Sequence, residues 1–129
     1  MVQVVIYGHR DRLQHIAEPI IAEIDSCLVD TLKYPTGRRY YRFIPLESWA
    51  FVYPDDRTDK YTIVEITLFA GRAQNTLRQL IQDLYRCTRA RLNVQAADIE
   101  FIIHEVSRAN WGLRGQPADE LELGYQVDV

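Results

Sequence analysis

The feature that most constrains this chain is an internal repeat with a period of 60 residues. Residues 2–32 align on residues 62–92 without a gap, and the matches include both apolar and functional side chains. Such self-similarity is typical of a duplicated supersecondary unit, because each copy must bury the same apolar face. The matched pairs are Val4 and Val64, Ile6 and Ile66, Arg12 and Arg72, Ile24 and Leu84, and Cys27 and Cys87.

Each half of the chain is predicted to form a strand, a helix and a second strand. Val- and Ile-rich segments predict strands over residues 2–7, 39–46, 61–69 and 99–106. Apolar residues at helical spacing predict helices from about residue 13 to 32 and from about residue 77 to 92. Pro19 lies inside the first pattern, so that helix either begins late or bends there. Residues 49–53 are predicted to be extended, and residues 125–129 to form a possible short strand.

The second strands align best by residue type at a shift of 58, which places Glu47 on Glu105 and Arg42 on Glu100. The single domain of 129 residues then divides into units 1–58 and 59–129. Each crossover is long enough to join parallel strands, so the two units can share a four-stranded sheet with both helices on one face. The uncovered face then favours self-association.

Composition excludes several classes of protein. With a formal net charge of -3, a broad nucleic-acid-binding surface is not expected. The apolar runs are far shorter than the roughly 20 residues that span a bilayer, and no secretory signal is visible, so we predict a cytoplasmic protein. Cys27 and Cys87 form neither a CxxC pair nor a metal motif, and each extends the apolar face of a helix. Both are therefore predicted to be buried, reduced thiols.

Several motifs, in order along the chain, resemble those of the tautomerase superfamily. Residues 62–72 (TIVEITLFAGR) are similar to the family's opening strand, which ends in Gly-Arg, and residues 102–105 to its second strand. Residues 110–115 (NWGLRG) are similar to its aromatic-glycine segment and hairpin, and residues 42–47 to the second strand of the first unit. The likeness is to the fused two-unit members, which include proteins similar to 4-oxalocrotonate tautomerase and to malonate semialdehyde decarboxylase.

The resemblance implies an α+β fold of the tautomerase or MIF-like type, with a four-stranded sheet, two helices on one face and short extra strands. It also implies a homotrimer with sites at subunit junctions. The histidines show no metal-ligand spacing and no glycine-rich phosphate loop is present, so we expect neither a metal nor a cofactor. In characterised members an N-terminal proline acts as general base or acid, and arginines bind a carboxylate-bearing substrate.

The chain departs from the family at this proline. Val2 follows Met1, and no proline occurs before Pro19. The terminal group is instead a primary amine, on Met1 or on Val2 if Met1 is removed. An α-amino group titrates near pH 8 in model peptides, and burial beside arginines lowers its pKa. Such an amine could shuttle protons at neutral pH.

Three arginines are the predicted substrate-binding residues. Arg72 and Arg12 each lie at a strand-to-helix junction, where the first helical N–H groups also favour anions. Arg42 lies within the second strand, from which a guanidinium could reach a neighbouring unit. Trp111 and Tyr41 are predicted to form pocket walls. With these residues, the resemblance implies an isomerase-like protein that acts on a small enol or keto carboxylate, with the proline-dependent step absent.

Two alternatives remain open at the level of sequence. The fold could be retained in a trimeric protein that binds small carboxylates, or serves as a scaffold, without catalysis. The element order also fits a ferredoxin-like module, whose sheet is antiparallel and which need not form a trimer.

Overall fold

The computed structural model describes residues 1–37 and 40–129. Two helices and a sheet of four long strands account for most of them, and short 3-10 turns and one small hairpin complete the chain. The long elements are β1 (Val2–His9), α1 (Arg10–Leu32), β2 (Tyr41–Leu46), β3 (Thr62–Phe69), α2 (Gln74–Leu92) and β4 (Ile99–Val106). The hairpin pairs β5 (Gly112–Leu113) with β6 (Gln116–Pro117), and the 3-10 turns are Ser48–Ala50, Ala96–Asp98, Arg108–Asn110 and Ala118–Glu120.

The four long strands form one mixed sheet in the order β2-β1-β3-β4. Each unit contributes a parallel pair, and the two units meet through the antiparallel pair of β1 and β3. The predicted α+β fold, with two crossover units in one sheet, is confirmed. The ferredoxin-like alternative is wrong, because β1 pairs in parallel with β2 and β3 in parallel with β4.

The strand register shows that the repeat keeps its period of 60 through the second strands. Val4 lies opposite Tyr41 and Val64 lies opposite Phe101, so Tyr41 and Phe101 are equivalent. The predicted shift of 58 is therefore wrong, and the equivalent of Arg42 is Ile102 rather than Glu100. Side chains alternate between the two faces of a strand, and the shifts of 58 and 60 differ by an even number. The predicted alignment therefore assigned every side chain to its correct face but placed it two residues away along the strand.

The ends of the two helices repeat the same geometry. Lys33 and Asn93, which directly follow α1 and α2, adopt left-handed backbone with φ of 57° and 54°. The next amide in each case donates to a carbonyl six residues back, Tyr34 to Leu28 and Val94 to Thr88. This closure satisfies carbonyls that a helix end leaves without partners.

Helix α1 begins earlier than its apolar pattern predicted and continues through Pro19. Ile16 and Ile20, one turn apart on either side of this proline, are both buried in the core. Their burial holds the two halves of the helix against the sheet, although proline removes one helical N–H donor.

Both helices pack on one face of the sheet. Alternate residues of the central strands point into this core, which also contains the apolar faces of both helices. The opposite face, which we call the open face, carries Ile44 and Ile102 at 38% and 42% exposure. The strand residues in the core include Val2, Val4, Ile6, Val64, Ile66 and Leu68.

A smaller apolar cluster lies at one end of the sheet. It comprises buried Met1, Phe69 and Ala118, with Trp111, Leu113, Leu123 and Val127 packed against them. The C-terminal tail, residues 121–129, thus packs where β1 begins. This tail contains no strand, contrary to the prediction for residues 125–129, because its residues pack through side chains instead of joining the sheet.

The remaining predictions concern residues 49–53, the two cysteines, the start of the second strand and membrane-spanning helices. Residues 49–53 begin within a 3-10 turn instead of being extended throughout. Cys27 is buried and Cys87 partly buried, and their sulfur atoms lie 3.4 Å apart without a disulfide. Arg39, the predicted start of the second strand, lies outside the described residues. No helix within them is long and apolar enough to cross a membrane.

Candidate functional site

The amine of Met1 lies where the first strand begins, in the middle of the sheet. Because β1 and β3 are antiparallel, Val2 faces Leu68 near the end of β3. Met1 is only 6% exposed, and its amine donates a hydrogen bond to the Tyr125 hydroxyl. The Val2 amide donates to the Tyr34 hydroxyl at 3.2 Å. Two tyrosine hydroxyls therefore lie at the start of the chain.

Arg72 follows β3 at the same end of the sheet, and its side chain is 6% exposed. Its Nη1 donates to the Phe69 carbonyl oxygen at 3.0 Å, whereas its Nε and Nη2 are buried with no hydrogen-bond partner among the described residues. Burial lowers the pKa of Arg72, and the nearby Tyr34 and Glu105 partly oppose that shift. A largely buried guanidinium with free donors is suited to a carboxylate oxygen.

Gly71 allows the chain to turn into this position. Its φ of 133° is strained for any residue with a side chain, and a Cβ atom there would lie 3.3 Å from Cγ1 of Val127. The Gly-Arg pair noted in the sequence therefore has a structural explanation. The glycine permits the turn and the close approach of the C-terminal tail, and the arginine that follows lies at the candidate site.

Aromatic rings surround the amine and the guanidinium. Trp111 packs on Phe69 with ring centroids 4.8 Å apart, and Tyr34 packs edge-on against Tyr125 at 5.4 Å. Arg108 donates to the carbonyl oxygens of Ala118 and Leu121 at 3.0 and 2.8 Å, which fixes the chain on the far side of Phe69. The surroundings of the site are therefore largely apolar.

The other predicted site residues lie elsewhere in the chain. Arg42 is on the open face and donates to the Gln3 side-chain oxygen at 3.3 Å. Tyr41 points the opposite way, and its hydroxyl donates to Asp25 of α1 at 2.5 Å. Arg12 follows β1, so the antiparallel pairing of β1 with β3 places it at the opposite end of the sheet from Arg72.

Of the predicted site residues, the structure thus places four at one end of the sheet, namely Met1, Val2, Arg72 and Trp111. The other three lie away from them within one chain, namely Arg42, Tyr41 and Arg12. Sequence reasoning missed Tyr34 and Tyr125. Tyr34 lies two residues beyond the end of α1, in a segment that the sequence marked only as the end of the helix, so its hydroxyl carried no separate signal. Tyr125 comes from a tail without periodicity, and only the folded chain places it at the amine.

The open face carries a polar network of its own. Glu65 and His104, on adjacent strands, lie 3.2 Å apart, between Glu65 Oε1 and His104 Nε2. The hydrogen bond from Tyr7, followed by the smaller effect of the one with His104, lowers the pKa of Glu65. The same hydrogen bond to Glu65 raises the pKa of Tyr7. Within residues 1–37 and 40–129, no cluster of three or more His, Cys, Asp or Glu side chains could hold a metal ion.

Comparison with known proteins places this chain in a family. A family model described as a tautomerase enzyme matches residues 38–114, more than half of the chain. The chain belongs to this tautomerase family.

Solved structures with the same fold cover nearly the whole chain. Native fused 4-OT has a TM-score of 0.77 and 20% sequence identity, with 95% of this chain and 99% of that chain covered. Malonate semialdehyde decarboxylase has a TM-score of 0.78 and 15% identity, with 93% and 99% covered. A fused 4-OT described as an asymmetric trimer has a TM-score of 0.79 and 18% identity, with 95% and 99% covered.

Proposed function

We propose that this protein binds a small enol or keto carboxylate at the site of Met1 and Arg72, and interconverts its tautomers. The observation that carries the proposal is the buried Arg72 guanidinium, whose Nε and Nη2 have no partner among the described residues. Its Nη1 binds the carbonyl oxygen of Phe69, which packs in one cluster with Met1. An unpaired charge is costly to bury, so a site that retains one gains most from an anionic ligand.

The carboxylate of the ligand would accept hydrogen bonds from Arg72 Nε and Nη2. Charge-assisted hydrogen bonds in an apolar setting are strong and directional, so this contact would fix the position of the rest of the molecule. Trp111, which packs on the buried Phe69 ring, would contact its planar body. Arg72 would also stabilise negative charge that develops on an enolate conjugated to the carboxylate.

The terminal amine would transfer the proton between carbon and oxygen. In its uncharged form a primary amine accepts a proton from the carbon beside the carbonyl. The resulting ammonium then donates that proton to the carbonyl oxygen, which gives the enol, and the reverse reaction follows the same steps. The Tyr125 hydroxyl, which now accepts the amine hydrogen bond, occupies the place that the ligand would take. Ligand entry therefore requires the Tyr125 side chain to move away from the amine.

We further propose that the working form is a homotrimer. The fold resembles that of a fused 4-OT described as a trimer, and the open face carries exposed Ile44 and Ile102. Arg42 lies on this face, so a neighbouring chain could bring its guanidinium to a site that Arg72 alone leaves half-built. Our prediction that Arg42 binds substrate rests on this assembly.

A non-catalytic carboxylate-binding protein is the second candidate function. The residue that favours it is Val2, because the terminal group is not the proline amine that the family resemblance implies. Arg72 would have the same binding role in both proposals, and only turnover separates them.

The test begins with the intact mass of the protein, which shows whether the chain starts at Met1 or Val2. Ketonisation of phenylpyruvate enol is then followed by ultraviolet absorbance for the wild type and for Arg72→Met. We expect Arg72→Met to lose at least about tenfold in kcat/KM, as expected for a lost charged hydrogen bond. Arg91→Met, which removes an exposed arginine of α2, is the control and should retain full activity.

Two outcomes would redirect the proposal. Phenylpyruvate binding measured by calorimetry without turnover in the wild type, together with activity in Val2→Pro lacking Met1, would favour the non-catalytic alternative. Equal activity in the wild type and in Arg72→Met would show that the site is wrongly assigned.

A further inference from the structure

A second cavity lies at the opposite end of the sheet, between the end of β1, the start of α1 and the segment that follows β2. It has a volume of about 650 Å³, within the range of small-molecule sites in proteins. The 60-residue repeat relates it to the site of Met1 and Arg72. His9 takes the place of Phe69, Arg12 that of Arg72, and Phe51 that of Trp111.

An aromatic group forms one wall of this cavity. The His9 ring lies 5.4 Å from Phe51 and 5.7 Å from Tyr53, and Tyr61 stacks behind Phe51 at 5.5 Å. This arrangement repeats the packing of Phe69 on Trp111 in the other unit, with a histidine in place of the phenylalanine. At this position the first unit therefore has the imidazole of His9, which can form hydrogen bonds, whereas the second unit has the apolar ring of Phe69.

The His9 imidazole and the Tyr53 hydroxyl form a short polar pair. His9 Nε2 and the Tyr53 oxygen lie 2.7 Å apart. With the imidazole proton on Nδ1 the tyrosine donates, and with it on Nε2 the histidine donates. The tyrosine oxygen can therefore present either a donor or a lone pair to a third molecule.

Arg12 supplies a cation to the lining of this cavity. Its Nε is buried, and no hydrogen-bond partner for this atom occurs among the described residues. Asp98, the nearest buried carboxylate, is already engaged: it accepts from the Thr58 amide at 2.8 Å and from the Thr58 hydroxyl at 2.7 Å. Asp98 and Asp59 partly offset the charge of Arg12 from a distance, but neither forms an ion pair with it in the described part of the chain.

The remaining charges of the cavity are nearly balanced. Arg10 is paired with Glu47 at 2.8 Å at the rim, where both are more than half exposed. Lys60 lies on the same lining as Asp11 and Asp59. With Arg12 included, the lining carries three cations and three carboxylates, so no net negative charge opposes an anion at Arg12.

We propose that this cavity is a second ligand site, which binds a small planar carboxylate carrying a hydroxyl, enol or keto oxygen. Arg12 holds the carboxylate, Phe51 packs on the planar body, and the pair of His9 and Tyr53 hydrogen-bonds to the second oxygen. The C-terminal tail covers the site of Met1 and Arg72 through Tyr125 and Val127. No residue of this tail lines the second cavity, which is therefore open to a ligand in the structure as it stands.

The experiment titrates the full-length protein with 4-hydroxybenzoate, benzoate and phenol, followed by the ring resonances of His9 in NMR spectra. His9→Gln assigns these resonances. We expect 4-hydroxybenzoate to shift them, and Arg12→Met to weaken that binding at least about tenfold, as a lost charged contact should. Arg72→Met should leave the response of His9 unchanged, because that arginine lies at the other end of the sheet.

Tyr53→Phe separates a built site from a general affinity for anions. It should weaken 4-hydroxybenzoate by about fivefold, the usual effect of one neutral hydrogen bond, and leave benzoate unchanged. Phenol, which lacks the carboxylate, should bind more weakly than either acid.

Three results would overturn the proposal: no shift of His9 at millimolar ligand, the same affinity in Arg12→Met, or equal weakening of both acids by Tyr53→Phe. Failure here does not affect the proposed function, which is read from Arg72→Met and phenylpyruvate turnover.

Discussion

The most informative single residue is Arg72, because its burial is poorly compensated within the chain. Removing a guanidinium from water is costly, and a single hydrogen bond to the Phe69 carbonyl offsets only part of that cost. Retention of a charge at such a position is typical of a functional site, although structural ion pairs also bury arginines.

Arg72→Met should therefore leave the free energy of unfolding unchanged or raise it by about 1 kcal/mol, even as ligand binding is lost. Methionine fills a similar volume without a buried charge, and the loss of the bond to Phe69 limits the gain. Urea denaturation of the wild type and the variant measures this. A loss of more than about 2 kcal/mol would instead assign Arg72 a structural role.

Cys27 gives a second prediction at this scale. Burial, and then its contact with Cys87, raise the pKa of Cys27 to about 12, from an ordinary value of 9.0. The unfolded chain releases this proton near pH 9, whereas the folded chain holds it to about pH 12. Folding stability should therefore fall as pH rises from 9 to 12.

Cys27→Ala should remove this part of the fall while lowering stability at neutral pH, because it leaves a small cavity in the core. Denaturation of both proteins between pH 8 and pH 11 measures the difference. Parallel pH profiles would contradict the assignment.

At the residue scale, sequence motifs predicted two of the residues that lie at the candidate site. The Gly-Arg pattern identified Arg72, and the aromatic-glycine segment identified Trp111, because both are local features of a strand end. Tyr125 could not be predicted, since its position depends on how a tail without periodicity packs across the sheet.

At the scale of elements, the duplicated unit explains why both helices end in the same way. Lys33 and Asn93 carry positive φ at equivalent positions, a conformation that costs lysine more than asparagine. The two ends therefore form a matched pair in which side-chain chemistry is the main difference.

Lys33→Gly should stabilise the protein by roughly 0.5–1 kcal/mol, because glycine adopts this conformation without a steric penalty. Asn93→Gly should have a smaller effect, since asparagine already tolerates it. Thermal denaturation of the two single variants compares them directly. A larger gain at Asn93 than at Lys33 would contradict this account, since the hydrogen bond from Lys33 to the Asp30 carbonyl is exposed and contributes little.

The elements also show where pattern reasoning stops. Residue patterning predicted the four long strands from their Val and Ile content, and the two helices and their buried faces from apolar periodicity. It could not fix the register of β2 and β4, for which shifts of 58 and 60 bury the same side chains. Backbone pairing decides between them, and it replaced Glu100 with Ile102 as the equivalent of Arg42.

At the scale of the whole molecule, the helices cover only one face of the sheet. The open face combines a polar network around Glu65 with exposed apolar side chains at Ile44 and Ile102. Trp49 and Val52, which follow β2, are 85% and 89% exposed. Large apolar side chains left in water near such a face are typical of a surface that a partner covers.

We therefore expect the protein to sediment as an assembly of about 45 kDa, three chains of 15.1 kDa, in analytical ultracentrifugation. Ile102→Glu, at the centre of an edge strand, should shift it toward the monomer, because a buried unpaired carboxylate at an interface is strongly unfavourable. Ala90→Glu, on the exposed side of α2, adds the same charge away from the open face and should leave the assembly intact. A wild-type monomer, or equal dissociation of both variants, would refute assembly through this face. Because Arg42 can complete the site of Arg72 only across such an interface, the same monomer would also remove Arg42 from the substrate-binding residues.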